Sequence, residues 1–195
     1  MDFSRSFINR PISVNSMRKL PKVLRLNLGA GWRPIEGYIN QDLVKLKGID
    51  LTFDLNKFPW PLEDNCADEI RMHDVLEHLD DVCAVMKEIH RVLKPGGTAN
   101  ILVPHWNSNG PTFDPTHKHG FGYTTFEYFC KGYRPMFHYY FDFQFQSLKR
   151  HIHLPGGLQF WNKILEPLIN LVPDVYETTP LKIFPSEGIE VWLTK

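Results

Sequence analysis

The chain has 195 residues, with 22 Lys and Arg balanced by 22 Asp and Glu, and it is 43% hydrophobic and 13% aromatic. That length suits one domain with a substantial core, and the charge balance argues against a large polyanionic partner such as nucleic acid. No stretch reaches the roughly 18 apolar residues of a membrane span. Cys66, Cys83 and Cys130 are widely separated, which speaks against a disulfide framework or thiolate zinc site and for a reducing, cytoplasmic setting.

Residues 1–20 carry Arg5, Arg10, Arg18 and Lys19 with little apolar periodicity, and Met17 would itself serve as a start. Only one acid, Asp2, falls in this stretch, but Pro11 interrupts any amphipathic targeting helix. An N-terminal extension over 1–20 and a single domain over 21–195 are therefore expected. Val23, Leu24, Leu26 and Leu28 then form an apolar run that ends in Gly29-Ala30-Gly31, as a buried strand running into a glycine turn does. Glycine there permits positive φ and close approach of a ligand to the backbone. Tyr38–Leu43 reads as a second strand with Asp42 at its carboxyl end. An acid in that place can take ribose hydroxyls, because ligands of an open α/β sheet bind outside the carboxyl ends of its strands. The dinucleotide fingerprint is incomplete, since Pro34 stands where its third glycine would pack helix on strand.

Only Trp32–Gly37 separates the first two strands, short for a parallel crossover. Nine residues from Gly29 still reach back about 30 Å if extended, so a one-turn helix or bare loop suffices. Ile49–Leu55 predicts a third strand ending on Asp54, Phe58-Pro-Trp-Pro-Leu62 a rigid apolar loop, and Ala67–His73 a fourth strand leading into Asp74-Val-Leu-Glu-His-Leu79. Asp80 and Asp81 cap the clearest helix, with Val82, Val85, Met86, Ile89, Val92 and Leu93 on one face. Lys94-Pro-Gly-Gly97 stops it, and Thr98–Pro104 follows as a fifth strand.

Leu26-Asn-Leu-Gly-Ala-Gly31 followed by the strand-ending Asp42 resembles motif I of the class I S-adenosylmethionine (SAM) methyltransferases. Phe58–Ile70, His73–Leu79 and Glu88–Gly97 come in the order and spacing of the small-molecule, type 11 members, and the short first crossover also occurs among them. The resemblance covers residues 23–104. It implies a Rossmann-like α/β sandwich with a mostly parallel seven-stranded sheet, whose antiparallel last strand inserts between the fifth and sixth. It also implies SAM as cofactor: Asn27, Gly29, Ala30 and Gly31 against the methionine part, and Asp42 with Leu43 at the ribose. Asp54 with Leu55 would lie beside the adenine, and His73, Asp74 and Val75 would line the methionyl amine.

Beyond Pro104, residues 105–188 are expected to be acceptor-side insertions. His105–Tyr123 is turn-rich, Thr124–Cys130 suits a short helix, and Phe141–Gln146 alternates as a sixth strand. The aromatics from Phe121 to Phe145 could stack on bases, but period-two spacing favours core packing. Leu158–Leu171 resembles an amphipathic helix broken near Pro167, and Ile189–Thr194 the last strand.

Methyl transfer needs donor and nucleophile held in line and a place for the nucleophile's proton. His105, His117 and His119 follow the fifth strand beside Asp114, so one of these histidines is the expected catalytic base. His-x-His also puts two rings on one side of an extended segment, which leaves a metal as the competing reading. The fourth strand is followed by neither an Asn-Pro-Pro-Tyr-like motif nor a nucleophilic cysteine, so a small-molecule, sugar or other non-nucleic acceptor is expected to take the methyl on O or N. The alternatives are a catalytically idle SAM-fold binding module and, disfavoured by Pro34, a nicotinamide enzyme.

Overall fold

The computed structural model describes residues 23–195, so the expected 1–20 extension lies outside the described residues. Seven strands, β1 Arg25–Leu28, β2 Ile39–Asp42, β3 Leu51–Thr52, β4 Ala67–His73, β5 Leu93–Pro104, β6 Ser147–His153 and β7 Gly188–Thr194, form one sheet. Their order is β3-β2-β1-β4-β5-β7-β6. β1 to β5 pair parallel, and β7 runs antiparallel between β5 and β6. The helices are α1 Val82–Val92, the four-residue α2 Gly110–Phe113, α3 Gln159–Leu171 and α4 Pro173–Thr178.

The two sheet faces differ sharply. Leu26, Ile70, Ile101 and Val191 point to one side, where α1 packs Val85, Met86, Ile89 and Val92 into the same core. Asp81 starts that helix by accepting from the Ala84 N–H at 2.9 Å. Phe121, Phe126, Phe129 and Phe145 extend the core under the far strands, so these aromatics fill space rather than await bases. Strand register puts Asn40, Asn27, Arg71, Asn100, Trp192 and Lys149 in one row across the opposite face.

Among the described residues no helix lies between β1 and β4. Buried amides do the anchoring instead. Asn40 Oδ1 accepts from the Ile35 N–H at 2.8 Å and from Asn27 Nδ2 at 2.9 Å, which ties the first crossover to the sheet. The Pro-Trp-Pro loop is clamped to α1 in the same manner. Glu88 Oε2 accepts from the Trp60 N–H at 2.7 Å and from Arg91 Nη2 at 2.7 Å, while Arg91 Nη1 donates to the Leu62 carbonyl at 2.8 Å.

Four expectations shift. β3 is two residues long, not seven. The fifth strand begins at Leu93, because Leu93 already pairs with Ala67; the Lys94–Gly97 run then bulges out, and regular pairing resumes with Thr98 opposite Glu69. The sixth strand is Ser147–His153 rather than Phe141–Gln146. Phe143 and Phe145 are indeed buried, but Phe145 hydrogen-bonds the 129–131 backbone instead of β7. Finally, α3 runs unbroken through Pro167, which sits on its exposed side, where the carbonyl freed by the missing N–H faces solvent. α3 also covers the sheet edge: Asn170 accepts from the Ile152 N–H at 2.7 Å and donates to the Ile152 carbonyl at 2.9 Å, pairing backbone that an edge strand otherwise leaves open.

Candidate functional site

The carboxyl ends of β1, β2 and β4 meet at one edge of the sheet. β1 breaks into Gly29 and Gly31 at φ +65° and +51°. A side chain on Gly29 would overlap the Val75 methyls, whereas one on Gly31 would point into open space. Asp42 closes the turn, its Oδ2 accepting from the Gly31 N–H at 2.7 Å and its Oδ1 from the Val44 N–H at 3.2 Å. Leu43 and Val44 beside it are exposed. Asp74 follows β4 at φ +56°, a conformation rare for a non-glycine residue and often held at functional sites. Its carboxylate meets Arg33 Nη2 at 3.1 Å, across the mouth between the two loops.

Some expected contacts lie elsewhere. Asn27 is buried, its amide spent on Asn40 and the Arg33 carbonyl and its oxygen accepting from Arg71. Asp54 caps its own turn at the Asn56 N–H, 3.0 Å away, and the Leu55 side chain belongs to the core. Ala30 is likewise buried, with its N–H on the Gln41 carbonyl at 2.8 Å.

A cleft of about 580 Å³ opens beside Asp74. Pro104, Gly188 and His153 stand in register at the ends of β5, β7 and β6, and with Leu102 and Glu190 they line it. The His105–His119 loop reaches this cleft through Ser108, Asn109 and Gly110, not through its histidines. His105 is wholly buried, with Nε2 2.7 Å from Glu177 Oε1 and Nδ1 against the Ser186 hydroxyl. Both nitrogens are thus engaged away from the cleft, which corrects the expectation of a base there. His119 Nε2 donates to the Leu79 carbonyl at 2.9 Å, and His117 lies with Glu77 and His78 behind the β4–α1 turn. Burial pushes the Glu77 carboxyl up to about 7. Replacing His105 with alanine removes a buried partner of Glu177 and should cost about 2–4 kcal/mol of stability. A thermal melt lowered by roughly 5–15 °C would report it, and an unchanged melt would count against the structural role.

Arg71, Asn100, Glu190 and His153, which sequence reasoning missed, join the expected His73 on the polar sheet face. Arg71 Nη2 meets His73 Nδ1 at 2.7 Å, His73 Nε2 meets Asn100 Oδ1 at 2.5 Å, and Asn100 Nδ2 donates to Glu190 Oε1 at 2.8 Å. Glu190 Oε2 ends the relay on His153 Nε2 at 2.9 Å. Burial, seconded by Arg71, holds the His73 ring below its ordinary range against the Asn100 bond. Burial alone would raise the Glu190 carboxyl, but the bonds to Asn100 and His153 outweigh it and hold it low. The alternating polar residues of Ser147–His153 were the available signal; an edge strand with little apolar content reads as loop.

A profile of the methyltransferase domain matches residues 38–101. The solved structure of a SAM-dependent methyltransferase from Archaeoglobus fulgidus superposes with a TM-score of 0.61 at 18% identity, covering 89% of this chain and 87% of that one. A SAM-dependent methyltransferase from Thermotoga maritima gives 0.54 at 14% identity, over 90% and 84%. No curated protein matches the sequence significantly. Residues 38–101 carry the match to the methyltransferase domain, and the fold is that of these SAM-dependent methyltransferases. Its cofactor is SAM, and the residues present fit that group: the bare Gly31 faces open space in front of Asp42, whose oxygens keep spare lone pairs for ribose hydroxyls.

Proposed function

We propose that this domain transfers the methyl of SAM to an O or N nucleophile on a small acceptor with a polar reacting end and an apolar body. The observation that carries the reading is one cleft that has the donor loop's Asp74 on one wall and His153 with Glu190 on the other. From that cleft an apolar cavity of about 290 Å³ continues past Leu154, Pro155 and Pro185, lined by Leu165, Leu168, Ile169 and Val172. A nucleotide polymer would find little there to pair with, in keeping with a non-nucleic acceptor.

In this reading Gly29, Ala30 and Gly31 give backbone room to the methionyl part, Asp42 accepts from the ribose hydroxyls, and Leu43 flanks the adenine end. Asp54 and Leu55 shape that end through their turn. Asp74 and Val75 border the methionyl amine, and His73, kept neutral, steadies the strand end behind them. Bound SAM supplies a methyl already activated by its sulfonium, so the chain's own task is to orient the nucleophile and take its proton. His153 donates through Nε2 to Glu190, which leaves Nδ1, 3.8 Å from Glu166 Oε1, as the acceptor in this reading. No helix among the described residues is long and apolar enough to cross a membrane, and we place the enzyme in the cytoplasm.

A competition screen tests the substrate class. With labelled SAM, amphiphilic alcohols and amines should accept methyl and compete with one another, while wholly polar sugars compete weakly. Transfer to nucleic acid, or to polar acceptors alone, would overturn the reading. Calorimetry should show SAM binding and no NAD binding.

A further inference from the structure

Glu77 is buried after β4, and neither of its carboxylate oxygens has a hydrogen-bond partner among the described residues. A carboxyl in that position is costly in either protonation state, since it has given up water and gained nothing. The groups nearest it are ligands by type. His117 Nε2 lies 3.9 Å from Glu77 Oε1, the His78 and His117 rings meet edge-on at 4.6 Å, and the three side chains can each present a ligand atom within 4.8 Å of the others. Asp114 Oδ2 stands 3.7 Å from His117 Nε2. Ligands about 2.1 Å from a tetrahedral zinc are roughly 3.4 Å apart, so both His117 pairs stand within a few tenths of an ångström of that spacing, and drawing in the third side chain takes a shift of about 1.4 Å at most.

The surroundings are those of a supported site. Thr116 Oγ1 lies 2.9 Å from His78 Nδ1, which leaves His78 Nε2 for the cluster, and the same hydroxyl donates to Asp114 Oδ1 at 2.6 Å, which leaves Oδ2. Hydrogen bonds of this kind fix the tautomer and aim of metal ligands. His151, His153 and Glu166 form a second histidine–carboxylate group, but its carboxylate is already satisfied, Oε1 by His151 at 2.7 Å and Oε2 by the Leu154 N–H at 3.0 Å.

We propose that Glu77, His78 and His117, completed by Asp114, bind one zinc ion that fastens the 114–119 loop over the turn following β4. Two imidazoles and two carboxylates suit zinc in closed, four-coordinate form. The ion adds to the contacts that already join these segments: the Lys118 N–H on the Glu77 carbonyl at 2.8 Å, the Lys118–Asp80 pair at 2.6 Å, His119 on the Leu79 carbonyl and Thr116 on His78. Its place behind the donor loop, away from the cleft, makes it structural.

Chelator-treated protein titrated with zinc chloride should take up one equivalent and melt at a higher temperature, and cobalt should give the visible absorption of a tetrahedral N/O site. His117→Ala and Asp114→Asn should each weaken zinc by 100-fold or more, and Thr116→Ala by about 10-fold. Asp114 and Thr116 are at the surface, so these two variants remain folded and informative even if His117→Ala does not. His151→Ala should leave uptake unchanged. Absence of stoichiometric uptake by the wild type, uptake unaffected by Asp114→Asn and His117→Ala, or uptake lost in His151→Ala would overturn the site.

Discussion

Replacing His153 with alanine is expected to lower turnover by roughly 10²–10⁴-fold, the range for removal of a general base, while SAM affinity stays within about two-fold of wild type. The ring stands at the carboxyl edge, in register with Pro104 and Gly188, and lines the same cleft as Asp74. Glu190 orients it through Nε2, so Glu190→Gln should cost less, on the order of 10-fold. The loss belongs in kcat at saturating SAM, because the side chain lies on the acceptor wall rather than at the donor turn. Full turnover in His153→Ala would remove it from the mechanism and leave positioning alone to drive transfer.

The second large effect concerns Asp42. Its alanine variant should bind SAM about 100-fold more weakly or worse, since two charge-assisted hydrogen bonds at ~1.5–3 kcal/mol each are lost. The carboxylate also holds the glycine turn through the Gly31 and Val44 N–H groups. Part of the loss in the alanine variant is therefore a loosened turn. Asp42→Asn separates the two contributions: it keeps an acceptor for the Gly31 N–H but removes the charge, and should still lose at least 10-fold. Calorimetry reads both, and wild-type affinity in a folded Asp42→Ala protein would sink the ribose assignment.

The cofactor half of the fold was legible because it repeats a local grammar. An apolar run meets paired glycines, a strand ends in Asp42, and α1 shows its buried stripe and its Asp81 cap in the sequence itself. The acceptor half was not legible to the same depth. Phe143 and Phe145 alternate as a strand does, yet the Phe145 backbone pairs with the 129–131 segment rather than β7, and no periodicity distinguishes those two partners. His105 has the residue type of a base and the position of one, but Glu177 and Ser186, 72 and 81 residues further on, claim both of its nitrogens. Glu190 and His153 carry no motif at all. They become a pair only because β7 returns beside β6, a relation that lives in the topology.

That return sets an order of assembly. Among the described residues β6 has no strand neighbour except β7, and 34 residues of helix and loop, 154–187, separate the two. During synthesis the donor strands β1 to β5 can pair with one another early, whereas β6, α3 and the wall bearing His153 stay without a sheet to join until Gly188–Thr194 has been made. Such distant pairings close slowly, because loop entropy is spent before the contacts form. The nascent chain is therefore expected to gain a SAM-binding edge before it gains a cleft in which methyl could be passed on.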